Sequence, residues 1–132
     1  MEDATGVAAV FDQAGIAAAW LFGSRAAGTH TEDSDADVAV LVGRELGLLQ
    51  QQRLADRLAS VLGVGEVDLV VLDGATLELR GRVVQEGRLL FSADESQRVA
   101  FEVRTRSEYF DYIPTLRAHT QRFLRQIAER GL

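Results

Sequence analysis

Residues Trp20–Val42 read WLFGSRAAGTHTEDSDADVAVLV. An apolar run ends in Gly23-Ser24, a polar loop follows, and a second apolar run opens with acids. Side chains alternate faces along a strand, so Asp35 and Asp37 project to one side while Ala36 and Val38 take the other. Two ionised carboxylates side by side repel and favour a proton or a cation between them. Hard divalent ions such as Mg²⁺ take oxygen ligands, commonly one or two carboxylates together with substrate phosphates. Gly23, lacking a side chain, lets phosphate oxygens approach backbone N–H groups, and Ser24 is placed to cap a short helix beginning at Arg25.

This pattern resembles the signature of the polymerase-beta-like nucleotidyltransferases, and in particular the minimal nucleotidyltransferase (MNT) antitoxins that pair with HEPN toxins. The resemblance rests on Gly23-Ser24, ten intervening residues, Asp35-x-Asp37 with Ser34 just before it, and apolar runs on both sides. Ala27 departs from it, standing where many members carry a second arginine. The resemblance implies a palm-like core over residues 16–91. It further implies that Asp35, Asp37 and Asp68 hold two Mg²⁺ ions and carry catalysis, with Gly23, Ser24 and Arg25 on the phosphates of ATP. AMP would pass to a tyrosine hydroxyl of a cognate HEPN ribonuclease toxin and silence it. Two rivals stand beside this reading: an antitoxin that acts by occlusion without chemistry, and a transferase acting on a small molecule such as an aminoglycoside.

The other signals agree with a small enzyme. At 132 residues, 47% hydrophobic and with a mean hydropathy near zero, the chain fits one globular domain over 1–132, with 94–132 as a helical tail. No run is long enough to span a membrane, and the acidic opening MEDATGVAAV lacks the positive start of a signal peptide. A cytoplasmic protein is expected. The absence of Cys removes disulfides and thiolate metal sites, and the absence of Lys removes a Walker phosphate loop. Asp33-x-Asp35-x-Asp37 imitates an EF-hand, but Val38 and Arg44 occupy the positions that need Gly and Glu. His30 has no second ligand at metal spacing and reads as a loop residue.

A net charge of −6 speaks against direct nucleic-acid binding. From Arg98 onward seven Arg face four acids, a balance of +3, which leaves −9 on residues 1–97. A basic tail is either a solvated helix face or a docking surface for a protein partner.

Periodicity predicts a helix near 4–14 and a buried central strand over Ile16–Phe22, with Trp20 as core. A second strand runs to Val42, and an amphipathic helix near 45–62 carries Leu46, Leu49, Leu54, Leu58, Val61 and Leu62 as its stripe. A strand at Val67–Leu72 holds a lone acid, Asp68, whose burial would need a partner or a role. Thr76 is set to cap a helix over Leu77–Glu86, Arg88–Phe91 reads as an edge strand, and a long helix starts at Asp94 or Ser96. Pro114 is expected to kink or interrupt that helix, most of whose apolar surface should pack on the sheet. The fold class is therefore α/β (α+β): a mixed sheet of about four strands flanked by helices.

Overall fold

A computed structural model describes residues 4–23 and 35–129. In chain order it contains α1 (Ala4–Gln13), β1 (Ala18–Phe22), β2 (Ala36–Leu41), α2 (Leu48–Leu62), β3 (Val67–Val71), a 3₁₀ turn (Leu72–Gly74), α3 (Leu77–Glu86), β4 (Arg88–Ser92) and α4 (Glu95–Glu129). The strands form one mixed sheet in the order β3-β2-β1-β4. β1 pairs antiparallel with both β2 and β4, while β2 and β3 run parallel. The parallel pair needs a crossover, which α2 supplies.

Each face of the central strands is covered. Ala19 and Leu21 of β1 join Val38 and Val40 of β2 under α1 and α2, with Val7, Phe11, Leu54 and Leu58. Ala18 and Trp20 join Ala39 and Leu41 on the opposite face, under Val83 and Val84 of α3 and Phe101 of α4. Burial on both faces explains why these strands are near-continuous apolar runs rather than alternating ones. Trp20 is core as expected, 2% exposed, packed on the Phe101 ring at 5.9 Å, with its Nε1 donating to Glu102 Oε1 at 3.3 Å. That bond meets the polar end of a ring otherwise surrounded by hydrocarbon.

Helix ends follow local chemistry. Thr76 Oγ1 accepts from Leu79 N at 3.3 Å, so the expected cap is made, and Asp94 Oδ1 accepts from Gln97 N at 3.0 Å, so of Asp94 and Ser96 it is Asp94 that caps α4. The Asp73 carboxylate accepts from Val42 N at 2.9 Å and Gly43 N at 2.7 Å, clasping the end of β2.

Several expectations are corrected. α2 starts at Leu48, and Leu49 is 64% exposed. Five residues advance a helix about 140° past a full turn, so Leu49 cannot share a face with Leu54. β3 is an edge strand and Asp68 is exposed on it, so the argument from the cost of burying Asp68 does not hold. Of the kink or interruption expected at Pro114, the interruption does not occur, since α4 runs through it to Glu129. Its missing N–H removes one ladder bond from a helix long enough to retain the others on either side. Most of the apolar surface of α4 does not pack on the sheet: Phe101 is buried, whereas Val103, Phe110, Phe123 and Leu124 are mostly exposed.

Candidate active site

Three carboxylates lie at one end of the sheet. The strand alternation places Ala36 and Val38 in the core beneath α1 and α2, which turns Asp37 to the opposite face. In the parallel pair Asp37 stands in register with Asp68, and on its other side it is the partner of Phe22 in β1. Val67 enters the same core as Val38, so Asp68 also turns to the face of Asp37. Asp35 immediately precedes β2 and is exposed.

Asp37 is half-buried, and its carboxyl is raised above the usual carboxylate range. Burial is the larger cause, followed by the charges of Asp68 and then Asp35. The three acids are therefore within electrostatic reach of one another. Among the described residues no three such side chains form a closed metal-binding group, so the acids are neighbours that have not been drawn onto one point.

Gly23 completes this end of the sheet. Its φ of +74° lies in the left-handed region, and a Cβ built there would collide with Asp37 Oδ2. Any side chain at position 23 would be both strained and in the way of the Asp37 carboxylate. The turn after β1 thus brings bare backbone beside the Asp37 carboxylate. Ser24 and Arg25, the other two residues expected on the phosphates, lie outside the described residues, as do Ala27 and His30.

The donor set suits a hard divalent cation. All three side chains offer oxygen, and the mutual repulsion that raises Asp37 is relieved by positive charge. Among the described residues neither Arg44 nor Arg80 engages Asp68. Arg44 donates to the carbonyls of Ala14 and Glu45, and Arg80 donates to Ala75 O and pairs with Glu108.

Over residues 7–96 the chain matches the family described as polymerase beta, nucleotidyltransferase. The chain belongs to that nucleotidyltransferase family. It is 39% identical over 90 residues to the protein adenylyltransferase MntA of Shewanella oneidensis, a match that covers 68% of this chain and 63% of MntA. The matched stretch thus spans less than two thirds of that curated relative. Among solved structures, a chain of a toxin–antitoxin crystal structure with AMP-PNP superposes with a TM-score of 0.74 at 30% identity, covering 96% of this chain and 98% of that one. A chain of the complex between tri-AMPylated Shewanella oneidensis HEPN toxin and MNT antitoxin superposes at 0.67 with 28% identity, covering 95% of each. The nucleotidyltransferase fold expected from Trp20–Val42 is the fold found, and the superpositions include the long α4 as well as the sheet.

Sequence reading missed the supports of this architecture. Glu102 is tied to Trp20 across 82 residues of chain, a separation at which no local pattern signals the contact. Asp73 likewise grips the end of β2 across 30 residues of chain, a contact that required the fold.

Proposed function

We propose that this chain is an antitoxin that transfers AMP from ATP to a tyrosine hydroxyl of a partner HEPN ribonuclease toxin and so neutralises it. The observation that carries the reading is Asp37, in register with Asp68, within electrostatic reach of Asp35, and with the bare backbone of Gly23 against its carboxylate. The similarity to MntA, named a protein adenylyltransferase, and to antitoxin complexes with AMP-PNP or an AMPylated toxin, supports it.

Gly23 and Ser24 would receive the β- and γ-phosphates on backbone N–H groups, with Arg25 adding its guanidinium. Asp35, Asp37 and Asp68 would hold two Mg²⁺ ions, which when bound stabilise charge developing on the transferred phosphoryl group. The acceptor hydroxyl oxygen attacks the α-phosphorus, the bond from that phosphorus to the bridging oxygen breaks, and pyrophosphate leaves. Asp68 would take the hydroxyl proton; its register beside Asp37 and its exposure to an incoming protein side chain support that role. The reaction would occur in the cytoplasm, where ATP and the toxin are both available. No described helix is long and apolar enough to cross a membrane. The tail over 94–132 would extend the single catalytic domain as a docking arm.

Intact mass of the partner after incubation with Mg²⁺-ATP tests the reading. Asp68→Asn is expected to slow AMP transfer on the order of a hundredfold or more, with a smaller effect on ATP affinity, since the loss falls on the transition state. Transfer by Asp68→Asn at the wild-type rate would remove its role. A wild type that silences the toxin without adding AMP would replace the whole reading with occlusion.

A further inference from the structure

At the far end of β2 from the acids, on the face covered by α1 and α2, the surface is concave. A hollow of about 210 Å³ is lined by Gln13, Arg44, Gln50, Arg53 and Arg57, with Leu54 among its apolar residues, and by no carboxylate. Its three arginines come from two places, the link after β2 and successive turns of α2.

These arginines differ from others in the molecule. Arg80, Arg82, Arg98 and Arg106 all pair with glutamates. Arg44 instead donates to neutral carbonyls, Nη2 to Ala14 O at 2.7 Å and Nη1 to Glu45 O at 3.4 Å. Gly15 makes room for it, since a Cβ there would lie 3.3 Å from Arg44 Nη2. Arg57 donates to the Gln13 amide oxygen, also neutral. Arg53 makes no hydrogen bond or ion pair among the described residues. Gln50 gives its amide oxygen to Gly47 N–H at 3.0 Å, which leaves its NH₂ as a further donor.

Three guanidinium groups facing one hollow repel, and Arg53 and Arg57, four residues apart on a helix, do so as direct neighbours. In a chain with 20 acids and 14 arginines, their grouping without a carboxylate leaves positive charge and unspent donors on a concave surface. We propose that this hollow binds a phosphoryl anion. Planar guanidinium forks match phosphate oxygens in pairs, and Arg44 is already oriented by its carbonyl contacts. The volume falls below the roughly 300 Å³ at which drug-sized ligands are enclosed, so the hollow takes a mono- or diphosphate group and leaves any attached nucleoside outside.

Calorimetric titration with pyrophosphate, without divalent cations so that the aspartate site cannot contribute through metal, tests the proposal. Saturable binding of one equivalent is expected, weakened at least about tenfold in Arg53→Gln/Arg57→Gln and less in Arg53→Lys/Arg57→Lys. Both residues are exposed, and unchanged circular dichroism would show that the variants fold. Asp35→Asn/Asp37→Asn should retain the binding. A parallel titration with ATP separates two sources: equal affinity means that free phosphate or diphosphate is read, and tighter binding means a nucleotide's phosphoryl end. The proposal is overturned by absence of saturable binding to the wild type, by equal affinity in the glutamine variant, by loss in the aspartate variant instead, or by citrate binding as tightly as pyrophosphate.

Discussion

Arg98 serves two carboxylates at the start of α4. Its Nη2 reaches Glu95 Oε2 at 2.8 Å and its Nη1 reaches Glu102 Oε2 at 3.0 Å, while Ser92 Oγ donates to Glu95 Oε1. Glu102 continues the chain to Trp20 Nε1, so a surface cluster is joined to the core indole. The hydrogen bonds from Arg98 and then Ser92 pull the Glu95 carboxyl down to about 2. Its folded value lies below its unfolded one, so the contribution to stability is present at neutral pH and is lost as pH falls from the ordinary range toward about 2. Glu95→Gln should therefore lower Tm at pH 7, by a small amount because Glu95 is exposed and screened. Thermal melts of both proteins should converge as the buffer is acidified, and an offset independent of pH would show that Glu95 acts through packing. At this scale the site was partly legible. Strict strand alternation gives Asp35 and Asp37 the spacing for one face, whereas the reason given for Asp68 failed because nothing within Val67–Leu72 marks that strand as an edge.

The packing of α3 against α4 turns on Gly81. A Cβ there would lie 2.6 Å from Cγ of Tyr109, close to the root of that side chain, where rotation offers little relief. Alanine in a helix ordinarily gains about 1 kcal/mol over glycine. Overpacking costs about 1–3 kcal/mol, so Gly81→Ala should be net destabilising by about 1 kcal/mol, read as a lower urea midpoint at unchanged slope. In a double-mutant cycle, Tyr109→Ala should suppress that cost, and additivity would refute the steric account. The same element shows how far periodicity reads. Thr76 announced its cap, and Asp94 was one of two candidates for the next, because capping is local chemistry, but nothing local marks Gly81, since its neighbour Tyr109 comes from another helix.

The whole molecule divides its charge as the sequence indicated, −9 over residues 1–97 against +3 from Arg98 onward. Arg117, Arg122 and Arg125 are exposed on the part of α4 beyond Pro114, alongside the exposed Phe123 and Leu124. If this arm docks the toxin, replacing the three arginines by glutamate should weaken co-purification with the partner, most strongly at low salt, while changing stability within about 0.5 kcal/mol. Undiminished co-purification at moderate salt would make the arm a solvated face. By itself the sequence determined the order and type of the elements and the paired acids beside a glycine turn, because strand alternation, capping and apolar periodicity act over a few residues. Tertiary structure alone decided that β3 is the edge opposite β4, that Asp68 is exposed beside Asp37, that α4 outruns the sheet, and that Arg44, Arg53 and Arg57 share one hollow. Each of these depends on which segments become neighbours after folding, and the sheet order β3-β2-β1-β4 that sets those neighbours is written in no single stretch of the chain.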